Sequence, residues 1–233
     1  MTVILFWSQS HKTFIMPKAF TAQEKKFIQN QLLEQGRKHF AAYGLRKSRV
    51  EELAAAAGIS KGAFYLFYDS KEALFMEVVE QVEEEFRQEI LAVIDQPGPS
   101  PHARLYAVLH RAFTLWKKLP ILQLFTHGDY EVLARRVPAE TLQAHLHSDR
   151  NFIQALIERC RDAGIPIQVQ PEELDGLFHA IFFASLHEHD FGSGSLSGAI
   201  ELMLKLTVAY CLGDVTLPPD LLHAAAHQQS ESK

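Results

Sequence analysis

The four residues Ala57-Gly58-Ile59-Ser60 constrain the fold of this chain more than any other segment. They follow an alanine run, Ala54 to Ala57, that reads as the end of a short helix, and Gly58 stops that helix. Ser60 is a helix N-cap residue, so a second short helix starts at once, and Ile59 between them can turn inward. Two short helices across a glycine turn are the sequence form of a helix-turn-helix. Upstream, Ser48 followed by Glu51 reads as a capping box for the earlier helix, whose buried face would be Val50, Leu53, Ala54 and Ala57. In the later helix Ala63, Phe64 and Phe67 or Tyr68 can face the core. That leaves Lys61, Gly62, Tyr65 and Leu66 toward solvent or a partner.

The rest of the chain reads as helix, so the expected class is all-α: an N-terminal three-helix unit containing the helix-turn-helix, joined to a larger helical body. A first helix is predicted from Thr21 or Ala22 to Tyr43, with Leu32, Gly36 and Phe40 at four-residue spacing and Gly44 as its stop. Asp69 and Ser70 cap a long fourth helix that runs through Leu74, Phe75, Val78, Val79, Val82, Phe86 and Ile90 toward Asp95. Pro97, Pro99 and Pro101 close it. Four more helices are expected in the body: Leu105 to Leu119, Ile121 to Arg136 with a break near Gly128, Ala139 to Ala163, and Glu172 to His189. A last one follows a GSGS loop, Leu196 to Leu212. The division is then 1–20 extension, 21–71 head, connecting helix to about 95, 96–213 body, and 214–233 tail. The opening MTVILFW is apolar but short, and MPKAFTAQEKK reads as a natural basic arm, which makes Met16 an alternative start to Met1.

Charge separates head from body. The formal net charge is -5, yet residues 17–71 hold ten Lys or Arg against five Asp or Glu, +5, and residues 1–16 add only Lys12. Residues 72–233 therefore carry -5 - 5 - 1 = -11. A basic module on an acidic body suits a polyanionic partner at one end only. Cys160 and Cys211 lack ligand-like spacing and are expected as reduced core residues, in keeping with a cytoplasmic protein. No apolar run approaches the roughly 18 residues of a membrane span.

The stretch GLRKSRVEELAAAAGISKGAFYLFYDSKEALF resembles the DNA-binding domain of the TetR family of bacterial transcriptional regulators. The similarity covers some fifth of the chain. It lies in linked features: Ser48, Ala54, Ala57 to Ser60, Gly62, Tyr65, Lys71-Glu72 and Leu74. The resemblance implies an all-helical homodimer whose two heads bind a near-palindromic double-stranded DNA operator. By position, Lys61, Tyr65, Lys71 and also Ser48 would meet phosphate, and the surface around Ser60, Lys61, Gly62 and Ala63 would approach base edges. Where many relatives have His then Phe, this chain has Phe67 then Tyr68, so the Tyr68 hydroxyl stands in for a phosphate contact. Leu66 would offer apolar contact to a thymine methyl. The cationic residues at the second helix, Arg46, Lys47 and Arg49, add backbone contacts on charge alone.

The two late helices are too apolar for lone surface helices; ordinary core packing would account for that, and the resemblance implies instead that they pair with their copies in a four-helix dimer interface. Leu177, Ile181, Leu202, Met203, Leu206 and Tyr210 are its candidates. A pocket for a small apolar or aromatic effector is expected among Phe113, Trp116, Phe125, Phe152, Phe178 and Phe182, each of which could equally be core packing. Twelve histidines raise the question of metal. His145 with His147 and His187 with His189 are two apart and cannot share a helical face. His145 and Asp149 are better spaced, but zinc needs about four converging ligands, so neither a metal site nor a cofactor is expected. Nothing forms a nucleophile, paired-acid or phosphate-loop signature, so an enzyme is not expected. The reading is a repressor released by an effector, the alternative being a ligand-independent activator or promoter-organising protein with a protein partner.

Overall fold

A computed structural model describes residues 20–123, 133, 135–186 and 195–215. Among these the secondary structure is entirely helical: α1 Ala22–Lys47, α2 Val50–Ala56, α3 Lys61–Phe64, α4 Lys71–Ile94, α5 Pro101–Lys118, α6 Pro120–Gln123, α7 Ala139–Asp162, α8 Pro171–Leu186 and α9 Ser195–Cys211. The expected extension up to residue 19, the break near Gly128, the GSGS loop and most of the tail lie outside the described residues.

Local chemistry accounts for the helix boundaries. Thr21 caps α1 with a full capping box: its hydroxyl accepts from the Glu24 amide at 3.2 Å, and the Glu24 carboxylate accepts from the Thr21 amide at 2.7 Å. The box expected at Ser48 is not formed, because the N-cap of α2 is Arg49, which makes no side-chain cap. Gly44 breaks α1 at φ 73°, as expected, but the chain resumes a helical turn that carries it to Lys47.

At the turn itself, Gly58 has φ 75°. The Ile59 amide donates to the Ala54 carbonyl at 3.0 Å and the Gly58 amide to the Ala55 carbonyl at 3.0 Å. This paired closure is a Schellman motif, which needs the left-handed residue that glycine supplies. Ser60 then accepts from the Ala63 amide at 3.2 Å, and Ser70 from the Ala73 amide at 3.1 Å, each starting the helix expected there.

Two apolar cores meet along α4. The N-terminal one gathers Leu32, Leu33 and Phe40 of α1, Leu53 and Ala54 of α2, Phe64, and the first half of α4 from Leu74 to Val82. Ile121, Leu133 and Val137 also join it, so the body touches the head beside α4 as well as through it. The second core takes Ile90 and Ile94 with residues of α5, α7, α8 and α9, including both cysteines. Burial pushes the Cys160 thiol up to about 11 and the Cys211 thiol up to about 12, which keeps both inert as nucleophiles. Arg104 pins the join, donating to the carbonyls of Ile94 at 2.9 Å and Ala163 at 2.6 Å, the C-terminal ends of α4 and α7.

Gly36 lets α1 and α4 approach. A Cβ there would lie 3.3 Å from Leu74 Cδ2 and 3.4 Å from the Phe40 ring. Gly36→Ala is therefore expected to be nearly neutral, since about 1 kcal/mol of helix propensity offsets a small clash. Gly36→Val should cost about 1–3 kcal/mol. A urea midpoint for the valine variant equal to that of the parent chain would show that the crossing is loose.

Candidate nucleic-acid interface and body sites

The α2–α3 unit presents an outward face on a rigid base. Phe64 is fully buried and contacts the rings of Tyr65 (5.5 Å, edge-on) and Tyr68 (5.9 Å). Because Phe64 points in, Lys61, Gly62, Tyr65 and Leu66 point out, Tyr65 being 48% and Leu66 70% exposed. Ala63 is half-buried and Ser60 exposed. Arg46, Lys47 and Arg49 are exposed along the loop into α2. Lys61 Nζ lies 2.7 Å from Glu51, which raises the lysine and lowers the carboxylate from their ordinary values. That link ties the outward ends of α2 and α3.

Three expected DNA-facing residues are placed differently. Ser48 is buried; its hydroxyl donates to the Gly44 carbonyl at 2.7 Å and lies 3.0 Å from His39 Nδ1. It seals the break in α1 instead of capping α2. Tyr68 turns its hydroxyl inward, where burial and neighbouring Glu77 push its pKa well above the ordinary value, so it is not a replacement phosphate contact. Lys71 donates to the carbonyls of Leu45 and Ser48, both at 2.8 Å, which holds the start of α4 against the loop before α2. Periodicity cannot show a lysine folded back across 23 residues. His39, which bonds Ser48 and lies 3.4 Å from Glu52, likewise carries no local sequence signal of that contact.

In the body, the expected aromatic residues separate. Trp116 sits at the centre of a cluster, with Phe182 at 4.3 Å, Phe86 at 6.1 Å and Phe178 at 6.4 Å between ring centroids. Phe178 and Phe152 line a small apolar cavity of about 40 Å³ together with Phe86 and Leu109. Phe182 is core, and Phe113, buried with its ring under Lys117 at 5.6 Å, edges a separate cleft of about 300 Å³ with His110 and Leu204. Phe125 lies outside the described residues. Periodicity places Phe86 only on a face of α4; its position beside Trp116 depends on how α4 and α5 cross.

On α8 and α9, Leu202 and Leu206 are more than half exposed. Leu177, Met203 and Tyr210 are half-buried. Ile181 is a correction: it is 3% exposed within one chain and belongs to the second core, so it is not available to a partner. Phe183, 48% exposed on the same helix, takes the outward position instead.

A charged cluster joins α4 to α7. Arg87 Nη2 lies 2.8 Å from Asp149 Oδ1 and 3.4 Å from Glu83 Oε2, and its guanidinium covers the Phe152 ring at 5.6 Å. His145 places Nδ1 3.5 Å from Glu83 and Nε2 3.8 Å from Asp149. Burial and the nearby Asp149 push the Glu83 carboxyl up to about 8, against the opposing pull of Arg87.

Residues 32–78 match the family model for bacterial regulatory proteins of the tetR family. The chain is 30% identical over 130 residues to the uncharacterized HTH-type transcriptional regulator YuxN of Bacillus subtilis (strain 168), a match covering 52% of this chain and 44% of that protein. It is 30% identical over 78 residues to the HTH-type transcriptional repressor DhaR of Mycobacterium sp. (strain GP1), covering 34% and 39%. The chain thus spans less than half the length of these two relatives. In fold it is similar to the solved structure of the transcriptional regulator FadR from Bacillus subtilis in complex with stearoyl-CoA, with a TM-score of 0.56 at 17% identity over 77% of this chain and 97% of that one. With the helix-turn-helix, its Schellman turn and the start of α4 all inside the matched residues, residues 32–78 form a helical head of the kind that bacterial regulatory proteins of the tetR family carry.

Proposed function

We propose that this chain is a DNA-binding transcriptional regulator, acting as a repressor that a small apolar or aromatic effector releases from a near-palindromic operator. One observation carries the DNA reading: the outward face of α3 and the turn after it, Lys61, Gly62, Tyr65 and Leu66, stands on a buried Phe64 with exposed Arg46, Lys47 and Arg49 beside it. Cations along the rim supply affinity through phosphates, and the few side chains on α3 supply discrimination. A homodimer formed through the outward faces of α8 and α9 would present two such heads to inverted half-sites. Repression is in keeping with the name of DhaR, and an apolar effector with the ligand held by FadR. The head spans 21–71 and the body 96–213, with α4 as the link. An effector would act by binding the two head spacings with different affinity.

Selection of bound duplexes from a random library tests this directly. Inverted repeats of one half-site at fixed spacing are expected; enrichment of no motif by a folded protein would refute the reading. Tyr65→Ala should then weaken operator binding about 10- to 100-fold at matched salt, the loss of one charge-assisted contact, while leaving the thermal unfolding of the body in place. Unchanged affinity would remove Tyr65 from the interface.

A second reading, a regulator that works with a protein partner and no effector, draws support from the size of the apolar cavity. About 40 Å³ is roughly a tenth of an ordinary ligand pocket. Operator titration with a panel of apolar ligands, set beside pull-down of a stable partner, separates the two.

A further inference from the structure

We propose that Glu83, His145 and Asp149 form a binding site for a divalent transition-metal ion held between α4 and α7. One ligand atom from each residue lies within 4.8 Å of the others. The donors are an imidazole nitrogen and two carboxylate oxygens, a set that suits zinc and its first-row neighbours. Ligand atoms each about 2.1 Å from a zinc ion stand about 3.4 Å apart in a tetrahedron. His145 faces Glu83 through Nδ1 and Asp149 through Nε2, so one carboxylate must swing to the ring nitrogen that ligates the ion, with water as the fourth ligand.

The surroundings favour a cation. His145 and Glu83 have side chains only 6% and 12% exposed, whereas Asp149 at 43% gives access from solvent. Two carboxylates face a single guanidinium, that of Arg87, and Glu80 adds a further negative charge nearby. Ionised, the cluster holds more negative than positive charge in a region where solvent screens poorly. At Asp149 the arginine and the imidazole use different oxygens, Arg87 bonding Oδ1 while Oδ2 faces His145. At Glu83 both approach Oε2, so an ion there would replace the longer 3.4 Å contact of Arg87. Arg87 is then the positioning residue that aims the second oxygen, the role outer partners commonly play at metal sites. His145 and Asp149 sit one helical turn apart on α7, and Glu83 comes from α4, 62 residues earlier than His145. An ion held by all three would clamp the helix that carries the head to the body.

The test uses the full chain, stripped with a chelator and titrated with Zn2+ against a chromophoric competitor. One ion per chain with a dissociation constant of about micromolar or tighter is expected. His145→Gln, Glu83→Gln and Asp149→Asn should each weaken it at least tenfold, and His147→Gln, exposed on the same helix, should not. Circular dichroism checks that each variant is folded. If the two buried substitutions fail to fold, Asp149→Asn, at a half-open position, decides alone. In the parent chain Co2+ should show visible d–d absorption that the Asp149→Asn variant loses. Zinc binding weaker than about 100 μM, or equally tight in the parent and Asp149→Asn, would overturn the proposal and leave an ordinary ion-pair network. None of these readouts involves DNA, so the outcome is separate from that of the operator selection.

Discussion

Leu202→Glu combined with Leu206→Glu is expected to turn the protein into a monomer at micromolar concentration and to cost about 10²- to 10⁴-fold in affinity for a two-half-site operator. Both side chains are more than half exposed in a single chain, one helical turn apart on α9, although leucine gains about 1.5–3 kcal/mol by full burial. In a two-fold dimer each substitution appears twice, so four leucines would give way to four carboxylates, all of which lose water on association. The DNA effect follows from linkage. Two joined heads bind the second half-site at an effective concentration set by their spacing, and separated heads lose that advantage with every base contact unchanged. Size-exclusion chromatography with light scattering should give about 26.4 kDa for the variant and twice that for the parent. A dimeric variant would mean that the interface lies elsewhere.

The same helices show what sequence can and cannot indicate. Hydrophobic excess marks α8 and α9 as helices with a face to cover, and both starts and the end of α9 lie within a residue of expectation, because caps, prolines and glycines act locally. Which apolar residue faces in and which out is a matter of how each helix is rolled against the second core. Ile181 and Phe183 are two positions apart on one helix, and only the packed structure assigns the first to the core and the second to the outside. The head was more legible. Gly58, Ser60 and Ser70 do their work through backbone groups within a few residues, and the division between Phe64 inside and Tyr65 and Leu66 outside follows from helical geometry once Ser60 is the cap.

Long-range polar contacts account for the misreadings. Ser48 looks like a cap by spacing, but His39 and the Gly44 carbonyl compete for its hydroxyl, and both are brought to it by the break in α1. Lys71 reads as a surface cation until the loop carbonyls of Leu45 and Ser48 are placed beside it. The His145–Asp149 spacing was visible as a pair, yet its third member and its arginine lie on α4, where nothing in the local sequence points to α7. The effector candidates fall between these cases. Helical periodicity found most of the aromatic side chains that cluster around Trp116, but it had no means of separating a lined cavity from filled core.

Phe64→Ala should abolish operator binding by disassembling the head while the body remains folded. Phe64 is among the largest fully buried side chains, and its truncation should cost about 3–5 kcal/mol. Such a loss would be severe for any small unit, and α3 has no reserve against it. It is four residues long, far below the roughly 12–15 at which an isolated helix becomes even marginal in water, so packing is what keeps it helical. Its outward side chains are positioned by the inward ring and lose their common geometry with it. The damage should stop partway along α4, since Leu74 to Val82 belong to the N-terminal core and Ile90 and Ile94 to the other. Hydrogen exchange followed by mass spectrometry reads both halves at once: protection should collapse over residues 50–68 and persist in α5, α7 and α9. Phe64→Leu, which keeps most of the volume, should retain part of the protection and part of the binding. Tyr65→Ala, by contrast, is expected to lose affinity with head protection intact. If Phe64→Ala bound DNA as the parent does, with α3 exchanging freely, the outward face of α3 would not be the reading surface, and the exposed cations before α2 would have to carry recognition alone.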